Sequence, residues 1–145
     1  MKTSKQIIVI RKDLKNSKGE KIRSGKIIAQ ACHASLKAIL DLMQTEPNEM
    51  TQSSEGNEEM KLFLEGGSAI QDWINGRFTK ICVSVNSEQE LDEIYQKAKD
   101  KGLICSLITD AGLTEFNGVP TKTCCAIGPN WSDEIDEITG GLPLL

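Results

Sequence analysis

Histidine occurs once in this chain of 145 residues, at His33, and no two of its five cysteines are spaced C-x-x-C. A zinc site needs ligands at metal spacing, so neither a metal nor any other cofactor is expected. No G-x-S-x-G elbow occurs and no serine can be placed beside His33, which argues against a nucleophilic triad. The longest apolar runs fall far short of the ~20 residues that a membrane span needs, and no signal-type apolar stretch follows Lys2 and Lys5. A soluble, cytoplasmic protein with no membrane partner is expected. The odd set Cys32, Cys82, Cys105, Cys124 and Cys125 reads as reduced core thiols on buried strand or helix faces.

A chain of this length buries roughly two thirds of its unfolded surface and needs no disulfide or metal to hold one domain, here 1–145. The formal charge is −4, but it is unevenly spread. Residues 1–37 hold ten Lys/Arg against two acids, a net of +8, and residues 38–145 hold seven against nineteen, a net of −12. A charge run is commonly a solvated loop. This one surrounds a helix N-terminus, which points instead to a polyanionic partner.

Ile7-Ile8-Val9-Ile10 is the continuous apolar run of a strand buried on both faces, ending near Arg11. A Lys-rich loop over 12–24 follows, and Ser24 is expected to cap a helix from about Gly25 to Met43. On that helix Ile28, Ala31, Ser35, Ala38, Ile39 and Leu42 share one face, and Lys26, Gln30, His33, Lys37 and Asp41 form a polar stripe on the other. Residues 44–59 are too polar to order themselves and read as a mobile insertion. One or two helical stretches follow, with Leu62, Phe63, Ile70, Trp73 and Ile74 as apolar positions. The second strand is Ile81 to Val85. Ser87 with Glu90 forms a capping box, and Gly102 stands at the helix C-terminus. The third strand runs from Leu103 to Ile108. The segment Asp110 to Lys122 is too short for a crossover helix, so Thr123 to Ile127 should return antiparallel, stopped by Gly128-Pro129. Ser132 caps a short last helix. The fold class is α/β: a mixed four-stranded sheet, three parallel strands plus one antiparallel, with helices packed on it.

On that topology the loops after the first and third strands share one sheet edge, where Lys26 and Asp110 meet and Thr114 and Thr123 flank them. A lysine in the first turn of a helix opposes the macrodipole, a local rule most often broken at functional sites. His33 lies seven residues from Lys26 on the polar stripe, within reach of a ligand along that face; a hydrogen-bonded structural histidine is the competing and favoured reading. Gly19 to Lys26 imitates a P-loop, but it is one residue too long between glycines, and Ile27 stands where a Mg²⁺-binding Ser or Thr is needed.

These residues carry a resemblance. Asp13-Leu14, Gly25-Lys26, Ala29-Gln30 and His33-Ala34 follow the first strand; Trp73, Gly76 and Lys80 precede the second. Ser106-Leu107-Ile108 leads into Asp110-Ala111-Gly112 and Thr114, and Thr123 stands ahead of Ile127-Gly128-Pro129. In order and spacing they resemble the type 2 peptidyl-tRNA hydrolases over about residues 6–43 and 71–145. The resemblance implies hydrolysis of the ester joining a peptide to the 3′-terminal ribose of tRNA, a metal-free α/β homodimer, and active-site positions at Lys26, Gln30, Asp110, Thr114 and Thr123.

Ester cleavage needs a positioned water and positive charge where the carbonyl oxygen becomes anionic. Asp110 is assigned to orient or deprotonate the water, with Thr114 or Thr123 holding it. Lys26 serves the oxyanion or a terminal phosphate, two roles the sequence does not separate, and Gln30 orients the ester or the 3′ adenosine. Lys18, Lys21 and Arg23 are expected to meet tRNA phosphates. Three features depart from the family: a longer 13–25 loop, Leu113 where an arginine is common, and a 44–70 stretch without a family counterpart. Two other classes stay open, a non-catalytic tRNA- or protein-binding member of the same fold and a redox-responsive protein acting through Cys124-Cys125.

Overall fold

A computed structural model describes residues 1–48 and 57–145. The element order is β1 (Ser4–Arg11), α1 (Ser24–Leu40), β2 (Gln44–Asn48), β3 (Asn57–Lys61), α2 (Ala69–Asn75), β4 (Lys80–Val85), α3 (Glu88–Asp100), β5 (Cys105–Asp110), β6 (Thr121–Trp131) and α4 (Ser132–Thr139). The α/β class is as expected from sequence.

The four-stranded sheet has the order β4-β1-β6-β5. Only β1 and β4 pair in parallel; β6 pairs antiparallel with β1 on one side and β5 on the other. The expected set of three parallel strands is therefore corrected to one parallel pairing. β5 still runs in the direction of β1, because two successive antiparallel pairings restore it, so Arg11 and Asp110 end their strands at the same edge. The reason for β6's inner place is legible in hindsight: Cys124, Cys125, Ala126 and Ile127 are all wholly buried, as a strand between two neighbours with both faces covered requires. Nor does Gly128-Pro129 stop this strand, which continues through it to Trp131.

Each sheet face has its own core. Ile7, Val9, Val83, Val85, Cys125 and Ile127 pack with Leu91 and Ile94 of α3 and Ile135 of α4. Ile8, Ile10, Ile108, Cys124 and Ala126 pack with Ala34 and Ala38 of α1. The four-residue run of β1 thus divides alternately between the two faces, as the period of a strand demands. Ser87 caps α3 by accepting from the Glu90 N–H at 3.0 Å, and Gly102 follows its last residues with φ 72°. The C-terminal residues add to the outer edge of β4, where the Leu145 N–H donates to the Cys82 carbonyl.

α1 departs from expectation in three ways. It ends at Leu40, its N-cap is Arg23 with no side-chain cap, and its buried residues are Gln30, Ala34 and Ala38 while Ile28 and Leu36 are exposed. The cause is that α1 lies over β5 and β6, which turn polar groups toward it. The Ser106 hydroxyl, for one, donates to the Ala34 carbonyl at 2.7 Å. Ser132 likewise is the first residue of α4 and not its cap. Within 44–59, the stretch expected as a mobile insertion, residues 44–48 and 57–59 belong to an antiparallel ribbon, β2 with β3, and residues 49–56 lie outside the described residues. The helical stretches expected after 59 reduce to α2.

Candidate active site

Asp110 is the last residue of β5, and the backbone turns sharply behind it at Gly112, whose φ is 81°. A Cβ there would meet the Val119 carbonyl oxygen at 2.2 Å, so only glycine lets the loop close. The Gly112 N–H donates to Asp110 Oδ2 at 2.9 Å, and the Gly118 N–H closes the loop on the Gly112 carbonyl.

From the first turn of α1, Lys26 Nζ reaches Asp110 Oδ1 at 2.9 Å and Thr114 Oγ1 at 3.2 Å. Gln30, one turn on, donates from Nε2 to the same Asp110 Oδ1 at 3.1 Å, and its Oε1 accepts from the Thr123 hydroxyl at 2.6 Å. The line Thr123, Gln30, Asp110, Lys26, Thr114 therefore runs from buried to open: Thr123 and Gln30 are 1% and 2% exposed, the side chains of Lys26 and Asp110 are both 14% exposed, and Thr114 is open to solvent. All five residues brought forward from sequence meet here. The Thr123 hydroxyl proton is committed to Gln30, while two of Lys26's three N–H groups are engaged.

Burial pushes the Asp110 carboxyl up, but the Lys26 hydrogen bond, the Gly112 N–H, the Lys26 charge and the Gln30 amide outweigh it and hold the pKa below the usual aspartate value. The site thus contains a fixed carboxylate and an ammonium at one sheet edge. Such a pair can orient water and stabilise developing negative charge.

The remaining residues from the sequence reading lie around this centre. The His33 side chain is exposed and makes no hydrogen bond or ion pair among the described residues, which corrects its expected role as a hydrogen-bonded structural histidine. The 12–24 loop is an ordered finger: Lys15 bridges Lys21, and Asn16 Oδ1 accepts from the N–H groups of Lys18 and Glu20, both at 2.9 Å. Lys15, Lys18 and Lys21 project from it into solvent. Arg23 at its base is ion-paired with Glu115 at 2.5 Å. Leu113 is 86% exposed. Between the finger and the 113–121 loop runs an open groove of about 310 Å³.

Sequence reasoning missed Glu115, Phe116 and the Gly112 N–H. Phe116 lies beneath Lys26, whose Nζ is 5.7 Å from the ring centroid. A glutamate following Thr114 in a turn carries no sign that it will be buried; the D-A-G turn was the only available signal. Of the cysteines, Cys124 and Cys125 are buried on opposite sheet faces and Cys32 is exposed, against the expected core placement. Burial pushes the Cys124 thiol up to about 11 and Cys125 well above its usual value, which disfavours the reactive thiolate and the redox reading with it.

Fold and site together define an α/β protein with a charge-paired sheet edge beside an exposed lysine-bearing loop. The sequence profile of the family described as Peptidyl-tRNA hydrolase PTH2 matches residues 4–145. Curated relatives agree: the chain is 38% identical to the peptidyl-tRNA hydrolase of Methanocaldococcus jannaschii over 97% of its own length and 99% of that protein. It is 37% identical to that of Methanopyrus kandleri, covering 97% of each chain, and 39% identical to that of Methanothermobacter thermautotrophicus, covering 97% and 99%. The chain belongs to the peptidyl-tRNA hydrolase PTH2 family.

Proposed function

We propose that this chain is a cytoplasmic hydrolase that cleaves the ester between the peptide and the 3′-terminal ribose of peptidyl-tRNA, returning tRNA from prematurely released chains. The observation that carries the reading is the shared grip of Lys26 and Gln30 on Asp110 Oδ1, in a chain of this family.

Water attacks the carbonyl carbon, the carbonyl oxygen becomes anionic, and the ribose oxygen leaves with a proton, giving a peptide carboxylate and a free tRNA hydroxyl. Asp110 accepts a hydrogen bond from the water, takes its proton as the C–O bond forms and returns that proton to the ribose oxygen as the ester bond breaks. Its lowered pKa keeps it ionised, at the cost of basicity, so orientation and the field of Lys26 supply most of its effect. Lys26 directs its third N–H toward the developing oxyanion. Thr114, open to solvent, helps to hold the water, and Thr123 acts through Gln30, whose amide it orients toward the ester or the terminal adenosine. Lys18 and Lys21 on the finger meet tRNA phosphates, contacts that position without reading sequence, and His33 extends the substrate path along α1.

The whole chain forms one such domain, with 44–59 carried as an insertion. It works as a homodimer. Support for the dimer is the uncovered apolar groove of about 520 Å³ between α1 and α2, lined by Ile28, Leu36, Ile39, Trp73, Ile74 and Phe78 among others.

The test is incubation with an N-blocked aminoacyl-tRNA while deacylation is followed, with and without a chelator. Turnover in both arms supports the reading. Binding without turnover would identify a non-catalytic member, and loss on chelation restored by zinc or magnesium would refute the metal-free chemistry.

A further inference from the structure

Arg23 and Glu115 form a second ion pair between the start of α1 and the 110–120 loop, beside that of Lys26 and Asp110. Arg23 donates from Nε at 2.8 Å and from Nη2 at 2.5 Å to Glu115 Oε1, linking residues 92 apart in sequence. The partners are unequal: the Arg23 side chain is 76% exposed, whereas Glu115 is 9% exposed. A nearly buried carboxylate left unpaired is costly, so Glu115 holds its arginine more firmly than a surface pair would.

The position of the pair gives it consequence. Arg23 is the residue from which α1 starts, its carbonyl accepting the first helical hydrogen bond from the Ile27 N–H, and Lys26 lies within that first turn. Glu115 stands between Thr114, which Lys26 touches, and Phe116, beneath Lys26. Both ends of the pair are thus one turn or one residue from the groups that locate the Lys26 ammonium.

Resting on the hydrolase reading above, we propose that Arg23 and Glu115 are positioning residues: their ion pair clamps the start of α1 to the 110–120 loop and so fixes Lys26 and Thr114 over Asp110. Arg23 serves this clamp and not a tRNA phosphate. Neither residue touches the reacting atoms.

The test uses the full chain with Arg23→Ala, Glu115→Gln and the double variant; Arg23 is exposed at its side chain, so its truncation leaves the core intact. Because a misplacement of about 1 Å costs up to ~10²-fold in rate, each single variant is expected to lower kcat for N-blocked aminoacyl-tRNA by roughly ten- to a hundredfold with little change in KM. The double variant should lose no more than either single one, since the two act as a unit. A substrate-free readout accompanies this: the Asp110 carboxyl, followed by NMR, should titrate at higher pH in both single variants as Lys26 loosens. Removing the Glu115 charge without loosening Lys26 would move it lower instead.

Unchanged kcat in Glu115→Gln, additive losses in the double variant, or an Asp110 titration that stays or falls would each overturn the proposal. So would a weaker salt dependence of tRNA binding in Arg23→Ala with Glu115→Gln unaffected, which would return Arg23 to phosphate contact. If the wild-type chain shows no deacylation at all, the hydrolase reading fails, while the Asp110 titration still decides whether the clamp positions Lys26.

Discussion

Lys26 and Asp110 stand 84 residues apart in the chain and 2.9 Å apart in space, joined at a sheet edge with both side chains largely withdrawn from water. Their pairing organises the site. Gln30 and Thr114 are held by the same two groups, so in the proposed reaction the chemistry depends on the pair more than on any one member.

Replacing Asp110 by Asn keeps the shape and removes the charge that Lys26 and the water both address. Asp110→Asn is expected to fold with a near-normal thermal transition and to lose on the order of 10²- to 10⁴-fold in single-turnover deacylation. Turnover within a fewfold of wild type would reduce Asp110 to a structural role.

The pH dependence follows from the direction of the Asp110 shift. Its folded-state pKa lies below the usual 3.8, so the stability it contributes is present above the unfolded value and is lost as pH falls through the folded one. The acid limb of kcat/KM that belongs to Asp110 should therefore lie below 3.8, and the carboxyl resonance should titrate there. An Asp110 titration above that value would mean that the Lys26 hydrogen bond does not persist in solution.

Gly112 has a positive φ and no room for a methyl group against the Val119 backbone. Gly112→Ala should cost roughly 1–3 kcal/mol from the backbone conformation alone, read by denaturant unfolding. It should also lower kcat by withdrawing an N–H from Asp110 Oδ2. A variant of wild-type stability and activity would show that the turn can re-form without glycine.

The finger should appear in salt dependence. Lys18→Ala with Lys21→Ala is expected to reduce the slope of log affinity for tRNA against log salt by roughly 0.7 to 0.9 for each phosphate no longer neutralised, leaving kcat at saturation little changed. An unaltered slope would make the finger a solvated surface.

The apolar groove predicts association. Wild-type chain should sediment as a dimer, and Leu36→Glu, at a position 58% exposed in the single chain, should shift it to monomer at micromolar concentration with its fold intact. A wild-type monomer at high concentration would remove the dimer from the proposal.

Much of this architecture is written locally. The β1 run, the Ser87 and Gly102 signals around α3 and the D-A-G turn are short-range effects of side-chain periodicity, capping and backbone freedom, and each stands where the sequence places it. The site residues were legible for the same reason. Lys26 and Gln30 are one turn apart on a helix, Asp110 ends a strand, and the edge they share follows from strand direction, which a second antiparallel pairing preserves.

Sequence by itself therefore determined the α/β class, the strands of the main sheet, α1, α3 and α4 to within their ends, and five of the residues that meet at the edge. It did not determine the β2–β3 ribbon, the full length of β6, Glu115 or Phe116. Only the tertiary structure decided that β6 lies between β1 and β5, that α1 buries Gln30 while exposing Ile28, and that Glu115 is withdrawn from water to hold Arg23. Strand order and the buried face of a helix are set by which surfaces pack and which polar groups find partners there, and those choices are made between segments far apart in the chain. No local pattern encodes them, because the free energy of burying Gln30 or Glu115 depends on Thr123, Asp110 and Arg23 being in place to receive them.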